Sequence, residues 1–364
     1  MSRRNGHMHG GQALGFAEQH NLALAEVLDF SASINPLSPQ IDWLQLCNDA
    51  KTQIIHYPQE FDSHSRSLLH PLLAETFSIK EDNITLCNGI SQAIQQLFAS
   101  IKPPETRLFT PIYSEYQKAA QAYCNDVREF RGAPQTWLQQ AQKLTANSII
   151  VVVNPSTPDG HYYSVQQLLP LCEYCQRHAI WLLVDESFLP FISLEKKFSA
   201  RQLLTAFPHL IILQSLTKFY ACPGIRIGAL FSSNRKVTDL IPQTWSLSTI
   251  DRLWLQQALQ DNNHIIKTQQ WLLATKAAFI ENLQRLDCIH EVFPSSVNFV
   301  LVEFDRPISA VQEHLNAYGM LIRNAQNFGY DANIARIGIK LESANHRLLQ
   351  ALQQIPTTHF ENAS

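Results

Sequence analysis

The sequence predicts an α/β protein, with a large domain built on a mainly parallel sheet and a smaller α+β domain after it. Three observations carry that expectation. Several apolar runs are continuous rather than alternating, which marks strands buried on both faces and therefore a sheet covered by helices. Amphipathic stretches with helical spacing separate those runs, as crossover connections require. The 364 residues also exceed what one hydrophobic core usually spans, so two domains are expected rather than one small fold.

Residues 1–45 read as an N-terminal arm. Its first forty residues are expected to be irregular, because Phe30-Ser31-Ala32-Ser33-Ile34-Asn35-Pro36-Leu37-Ser38-Pro39 mixes prolines with small polar residues and bars a helix. Residues 46–250 form the expected large domain. Its clearest strands are Ser148 to Val153, Ile180 to Val184, Leu210 to Leu213 and Ile227 to Phe231, and the stripe Leu168, Leu171, Cys172 and Cys175 makes Val165 to His178 a crossover helix. From Asp251 to Leu286 strands disappear and the sequence reads as long helix, with Leu255, Ala258, Leu259, Ile266, Leu272, Leu273, Ala277 and Phe279 as its apolar positions. That shift places the small domain at 251–364. Strands return at Asn298 to Val302 and Arg336 to Lys340, and a last helix follows, with Ser343 as a candidate N-cap and Leu348, Leu352 and Ile355 on one stripe.

Composition excludes several classes of function. Hydrophobic residues make up 45% and charged residues 16%, which suits a packed core and rules out disorder. The formal charge of −3, with Lys and Arg scattered, leaves no electrostatic footprint for nucleic acid, so the expected partner is a small molecule. No run of about 18 apolar residues exists, and the basic N-terminus lacks an apolar leader, so a cytoplasmic protein away from membranes is expected. Seven cysteines, unevenly spaced, form no disulfide framework. Glycine is scarce, twelve residues where average usage gives roughly twenty-five, so its placement is informative.

The densest chemistry lies in Ser215-Leu216-Thr217-Lys218-Phe219-Tyr220-Ala221-Cys222-Pro223-Gly224-Ile225-Arg226-Ile227-Gly228, just after a buried strand, where α/β proteins bind ligands. A pocket lysine can form a Schiff base with an aldehyde or ketone, and a hydroxyl with a guanidinium can grip a phosphate. Ser-x-x-Lys also occurs in serine acyl-enzymes, but no Lys-Thr-Gly or Ser-Asp-Asn partner is present. Asp185 closes the strand Ile180 to Val184 and would project into the same crevice, or else serve as a turn former. Asn88-Gly89-Ile90-Ser91-Gln92 opens an amphipathic helix whose first N–H groups can bind a phosphate. A phosphate cup, a Schiff-base amine and a carboxylate for a ring nitrogen are the parts that pyridoxal phosphate needs. Cys172-Glu173-Tyr174-Cys175 has metal spacing but no second pair and lies on the apolar face of its helix, and no metal site is expected from it or from His7 and His9.

With these residues the sequence resembles the fold-type I pyridoxal-phosphate enzymes, in the branch of histidinol-phosphate aminotransferases and threonine-phosphate decarboxylases of cobalamin synthesis. The resemblance covers nearly the whole chain and implies an aspartate-aminotransferase-like fold with a mainly parallel seven-stranded sheet. It implies that Lys218 binds the cofactor covalently, Asp185 pairs with the pyridine nitrogen, and Tyr113 in Thr110-Pro111-Ile112-Tyr113 stacks on the ring. Ser215, Arg226 and the amides at Gly89 and Ile90 would hold the cofactor phosphate. Tyr57, in His56-Tyr57-Pro58, matches a tyrosine that reaches the phosphate of a neighbouring subunit, which implies a homodimer with shared sites.

Three features resemble the decarboxylase side of this branch: His9-Gly10-Gly11 with the segment Leu28 to Leu37, the run Leu216 to Ala221 with Pro223-Gly224, and the last strand. In that strand Arg336 and Lys340 share a face with Gly338 between them, leaving space above the glycine. The likeness makes Arg336 the carboxylate-binding arginine, makes Arg323 and Lys340 candidates for a substrate phosphate, and adds His9 and Asn35 to the substrate-binding residues. The implied reaction is decarboxylation of L-threonine O-3-phosphate to (R)-1-amino-2-propanol O-2-phosphate. The alternatives are an aminotransferase for histidinol phosphate or a related amino-phosphate, and a catalytically weak partner protein that binds the cofactor or a cobalamin precursor. Two departures motivate the last. Thr157 stands where the family has an asparagine on the ring hydroxyl, with Phe188 rather than tyrosine nearby, and Gln214 stands where arginine is common. Loss of donors to the ring oxygen, at Thr157 and Phe188, is expected to raise the pKa of the lysine–cofactor linkage, and Gln214 bears on activity level or exact substrate.

Overall fold

The computed structural model describes residues 10–58, 68–240 and 245–356. In chain order the elements are α1 (Ala13–His20), β1 (Leu28–Asp29), α2 (Trp43–Gln53), α3 (Leu69–Phe77), β2 (Ile84–Cys87), α4 (Gly89–Ile101), β3 (Glu105–Phe109), α5 (Ser114–Tyr123) and β4 (Asp126–Phe130). Next come α6 (Pro134–Ala141), β5 (Ile149–Val153), α7 (Val165–Arg177), β6 (Trp181–Asp185), β7 (Leu210–Ser215), β8 (Gly228–Phe231), α8 (Arg235–Leu240), α9 (Thr249–Gln260) and α10 (Asn262–Gln284). The chain ends with β9 (Ile289–Val292), β10 (Phe299–Phe304), α11 (Ile308–Asn316), β11 (Met320–Leu321), β12 (Arg323–Asn324), β13 (Ile334–Gly338) and α12 (Glu342–Gln353).

Contacts divide the described residues into two compact units, one of residues 37–157 and 161–269, the other of residues 1–36, 158–160 and 270–364. The division differs from boundaries drawn at 45 and 250, because α9 packs with α2 and α3 of the first unit and the break falls inside α10.

The first unit is built on a seven-stranded sheet in the order β2-β8-β7-β6-β5-β3-β4. Only β8 runs against its neighbours, being antiparallel to both β2 and β7. Its strands are the continuous apolar runs of the sequence: Ile149–Val153 and Leu210–Ser215 are buried throughout. Ile149, Val151, Leu183, Ile211 and Leu230 point to the side where Ile94, Leu97 and Phe98 of α4 and Tyr116 and Ala120 of α5 complete the core. Alternate residues face the other way, where α7 meets β6. The start of α7 is set by Ser164, whose hydroxyl accepts from Gln167 N while Gln167 Oε1 accepts from Ser164 N.

The second unit holds a four-stranded antiparallel sheet, β12-β13-β10-β9, and a two-stranded parallel pair of β1 with β11. Several expectations are corrected here and in the first unit. Residues 13–20 are helical rather than irregular, since Phe16 and Ala17 gain burial on one face. The stretch from Asp251 is two helices, broken at Asp261, whose carboxylate accepts from His264 N and Gln40 N and so starts α10. Ile266 and Leu273, expected on an apolar face, are exposed. Ser343 is not an N-cap: α12 starts after Leu341, and Asn345 instead bonds the backbone of Lys340 through both its amide atoms. The last strand is Ile334–Gly338, which leaves Lys340 beyond its end.

Candidate active site

In the first unit the topology gathers the chemistry at one edge of the sheet. Asp185 and Ser215 end β6 and β7, while Gly89 follows β2, which runs in the same direction as those strands because both flank the reversed β8. Gly228 begins β8 opposite both Cys87 and Ser215, so the segment carrying Arg226 reaches the same edge. Tyr113 follows β3 and Thr157 follows β5. Ligands of parallel sheets bind at such carboxyl ends.

The start of α4 and the loop that carries Arg226 form a cup. Gly89 and Ile90 are the first residues of α4, whose free N–H groups and dipole favour an anion. A Cβ on Gly89, which has φ of +69°, would stand 2.8 Å from Arg226 Nη2, so only glycine lets the guanidinium lie this close to the helix start. A Cβ on Gly228 would stand 2.7 Å from Ile90 N, so glycine likewise lets β8 approach the helix. The backbone N of Arg226 donates to Asp251 Oδ1 at 3.3 Å, which fixes the loop that carries the side chain. The Ser215 hydroxyl lies 3.0 Å from that of Thr217.

Lys218 sits in the turn after β7, closed by Cys222 N donating to Thr217 O at 2.9 Å, with Ala221 at φ 55°. Its amine lies 5.1 Å from the ring centre of Phe188, an apolar neighbour where a tyrosine would have offered a hydroxyl. Buried His264 lies 3.1 Å from Phe219 O and backs this turn, its pKa lowered by burial. Asp185 is buried, and its carboxylate is held at both oxygens: Oδ2 accepts from Tyr116 Oη at 2.9 Å and Oδ1 from Ser187 N at 2.9 Å. Ser187 Oγ also accepts from Ser215 N at 3.1 Å, tying the ends of β6 and β7 together. Tyr113 Oη is 3.2 Å from Ser91 Oγ, and its ring meets that of Tyr116 edge-on at 6.4 Å. Thr157 is buried, and buried Gln214 donates to Ser215 O at 3.3 Å.

Sequence reading missed Tyr116, Ser187, Ser91 and Asp251. Tyr116 carried one signal, its spacing of three from Tyr113, which puts both rings on one face of α5. Cys172 and Cys175 are buried core thiols, and burial pushes Cys172 up to about 12. Among the described residues no group of three metal-ligating side chains exists, all seven cysteines are free, and no helix is long and apolar enough to cross a membrane.

The second unit contains a cluster of cations. Arg323 and Arg336 stand directly opposite each other across β12 and β13, both buried, with their guanidiniums over Phe328 at 5.5 Å and Phe299 at 5.1 Å. Like charges in that register repel. Burial first, and then Arg323, lowers Arg336 to about 9, while Asp29 acts the other way. Burial lowers Lys340 to about 8, with Asp29 raising and Arg336 lowering it further. Arg336 Nη2 donates to Ser31 O at 2.8 Å, and Lys340 Nζ to Ala32 O at 2.9 Å. Asp29 Oδ1 accepts from Ser31 N, Ser31 Oγ and Ala32 N, which turns the arm so that these carbonyls face the cations. The space expected above Gly338 is therefore filled: a Cβ there would stand 3.2 Å from Phe30 O and from Ala32 O. Asn35 is buried in the same segment, and His9 lies outside the described residues. Tyr57, in the first unit, is 77% exposed and stacks on Trp245 at 4.1 Å.

The family pattern "Aminotransferase class I and II" matches residues 25–352. The chain belongs to the aminotransferase class I and II family. Membership indicates pyridoxal 5′-phosphate as the cofactor, and the glycine-lined cup, the lysine turn and the doubly held Asp185 fit that group. Within the family the chain is 31% identical to the threonine-phosphate decarboxylase of Salmonella typhimurium over 96% of both chains. It is 24% identical to a histidinol-phosphate aminotransferase of Moorella thermoacetica, over 93% of this chain and 87% of that one. The fold matches the crystal structure of the histidinol-phosphate aminotransferase from Clostridium acetobutylicum with a TM-score of 0.80 at 23% identity, covering 90% of this chain and 98% of that one.

Proposed function

We propose that this class I and II family member decarboxylates L-threonine O-3-phosphate to (R)-1-amino-2-propanol O-2-phosphate, a step that serves cobalamin synthesis. The observation that carries this reading is the cation cluster of buried Arg323 and Arg336 with half-buried Lys340, with Asp29 as its counter-charge. A substrate that bears both a phosphate and a carboxylate would find a cationic donor for each anion in such a cluster. The 31% identity with the Salmonella decarboxylase over 96% of both chains supports the same assignment.

When bound, pyridoxal phosphate supplies an electron sink for the bond that breaks at Cα. The residues have separate tasks. Lys218 would hold the cofactor through its amine, Asp185 would keep a proton at the ring nitrogen, and Tyr113 would cover the ring. Ser215, Arg226 and the amides of Gly89 and Ile90 would hold the cofactor phosphate, and Thr157 would serve the ring hydroxyl. Arg336 takes the substrate carboxylate, and Arg323 and Lys340 take its phosphate, with Asn35 and His9 as further contacts. Holding the substrate by its carboxylate and its phosphate would restrict which Cα bond breaks, and decarboxylation needs the bond to the carboxylate.

An aminotransferase remains a second reading, favoured by the Moorella relative and by the same cations, which can take the carboxylates of an amino acceptor. We further propose a homodimer in which Tyr57 reaches the phosphate of the neighbouring subunit. Its exposed ring, and the exposed Trp43, Leu44, Ile54 and Ile55 close to it in sequence, support that assembly. Incubation with threonine phosphate, with and without 2-oxoglutarate, separates the two reactions. Aminopropanol phosphate formed without the keto acid is expected, and product that depends on the keto acid contradicts the proposal.

A further inference from the structure

The hydroxyl of Tyr116 has no place in the functions assigned above, yet it is buried inside the first unit and donates to the carboxylate of Asp185, the group proposed for the ring nitrogen. Tyr113 at the N-cap of α5 and Tyr116 one turn later lie on the same helix face, so the helix that presents one ring for stacking presents the other beneath Asp185. The two oxygens of Asp185 are held from two elements, Oδ2 by Tyr116 on α5 and Oδ1 by the backbone N of Ser187 just past β6. The Ser187 bond is local and follows from the turn. The Tyr116 bond spans 69 positions of sequence and sets the rotation of the carboxylate about its own axis.

We propose that Tyr116 is a positioning residue, which acts through Asp185 to aim that carboxylate at the ring nitrogen of pyridoxal phosphate. Burial, and next the charge of Asp185, hold the Tyr116 hydroxyl well above its ordinary pKa, so it keeps its proton and always donates. A carboxylate with only the Ser187 contact is free to rotate away from the line to the ring, and the hydrogen bond to the charged group is lost with it. The inference rests on the cofactor and not on the substrate proposed above, so the two fail separately.

The test compares full-length wild-type protein and Y116F, stripped of cofactor, in titrations with three probes. Pyridoxal 5′-phosphate reports the whole site, its 1-deaza analogue carries C–H where the ring nitrogen was, and inorganic phosphate reports the cup alone. The substitution keeps the ring that fills the core and removes only the donor. Y116F is expected to weaken pyridoxal phosphate about tenfold, as loss of a hydrogen bond to a charged group does, and to leave the analogue and inorganic phosphate within about twofold of wild type. Unchanged affinity for pyridoxal phosphate overturns the proposal. An equal loss with the deaza analogue or with inorganic phosphate also overturns it, because Tyr116 is then only part of the packing.

Discussion

At the scale of single residues, the site divides into side chains whose chemistry is visible in the sequence and side chains that matter through what they hold. Lys218, Asp185 and Arg226 are of the first kind, since an amine, a carboxylate and a guanidinium after buried strands have few other uses. Tyr116, Ser187 and Asp251 are of the second, because a hydrogen bond spanning 69 positions cannot be read from local pattern. Replacing Lys218 with alanine is expected to remove covalent attachment of the cofactor, so that visible absorbance disappears while the fold, followed by circular dichroism, remains. Thr157→Asn is expected to lower the pKa of the lysine–cofactor linkage in an absorbance titration, since it restores a donor to the ring oxygen. Lys340 makes a further prediction. Its pKa is depressed to about 8, so the folded protein binds that proton less tightly than the unfolded chain, and stability rises with pH between about 8 and the ordinary 10.5. Binding of an anion has the opposite sign, because it needs the protonated amine. The apparent KM for threonine phosphate is therefore expected to rise as pH passes about 8, and K340M is expected to flatten that limb.

At the scale of elements, the strands that form the middle of the large sheet were legible because a strand buried on both faces has only apolar residues to show. The shorter edge strands were not, since Asp126–Phe130 is only partly buried and its composition is mixed. The arm misled in a different way. Its prolines correctly barred a helix over residues 30–39, but a sequence pattern cannot say where backbone carbonyls will point, and those of Phe30 and Ala32 fill the space above Gly338. One element contact can be tested directly. Gly228 lets β8 approach the start of α4, and a methyl group there would stand 2.7 Å from Ile90 N. G228A is expected to cost about 1–3 kcal/mol of stability, as overpacking does, and to weaken inorganic phosphate binding as well. A thermal melt and a phosphate titration check the two effects, and a loss of stability alone would mean that the strand yields without moving the cup.

At the scale of the whole molecule, family and cofactor follow from a match over residues 25–352 and from a site that fits pyridoxal phosphate, while the choice of reaction rests on the cations of the second unit. The fold does not make that choice, since decarboxylases and aminotransferases share it. The proposed homodimer belongs to this scale too, and sedimentation analysis is expected to give twice the chain mass of 41.4 kDa. Substitution of Tyr57 by phenylalanine is expected to weaken the cofactor several-fold without dissociating the dimer. The two reactions differ in the bond that breaks at Cα. L-threonine O-3-phosphate labelled at its carboxyl carbon, supplied to the cofactor-loaded protein with no keto acid, tests the proposed decarboxylation most directly. Release of the label as carbon dioxide through many turnovers is expected, matched by aminopropanol phosphate and abolished in R336Q. Retention of the label in a keto acid, formed once per cofactor and continued only when 2-oxoglutarate is added, would contradict the proposal.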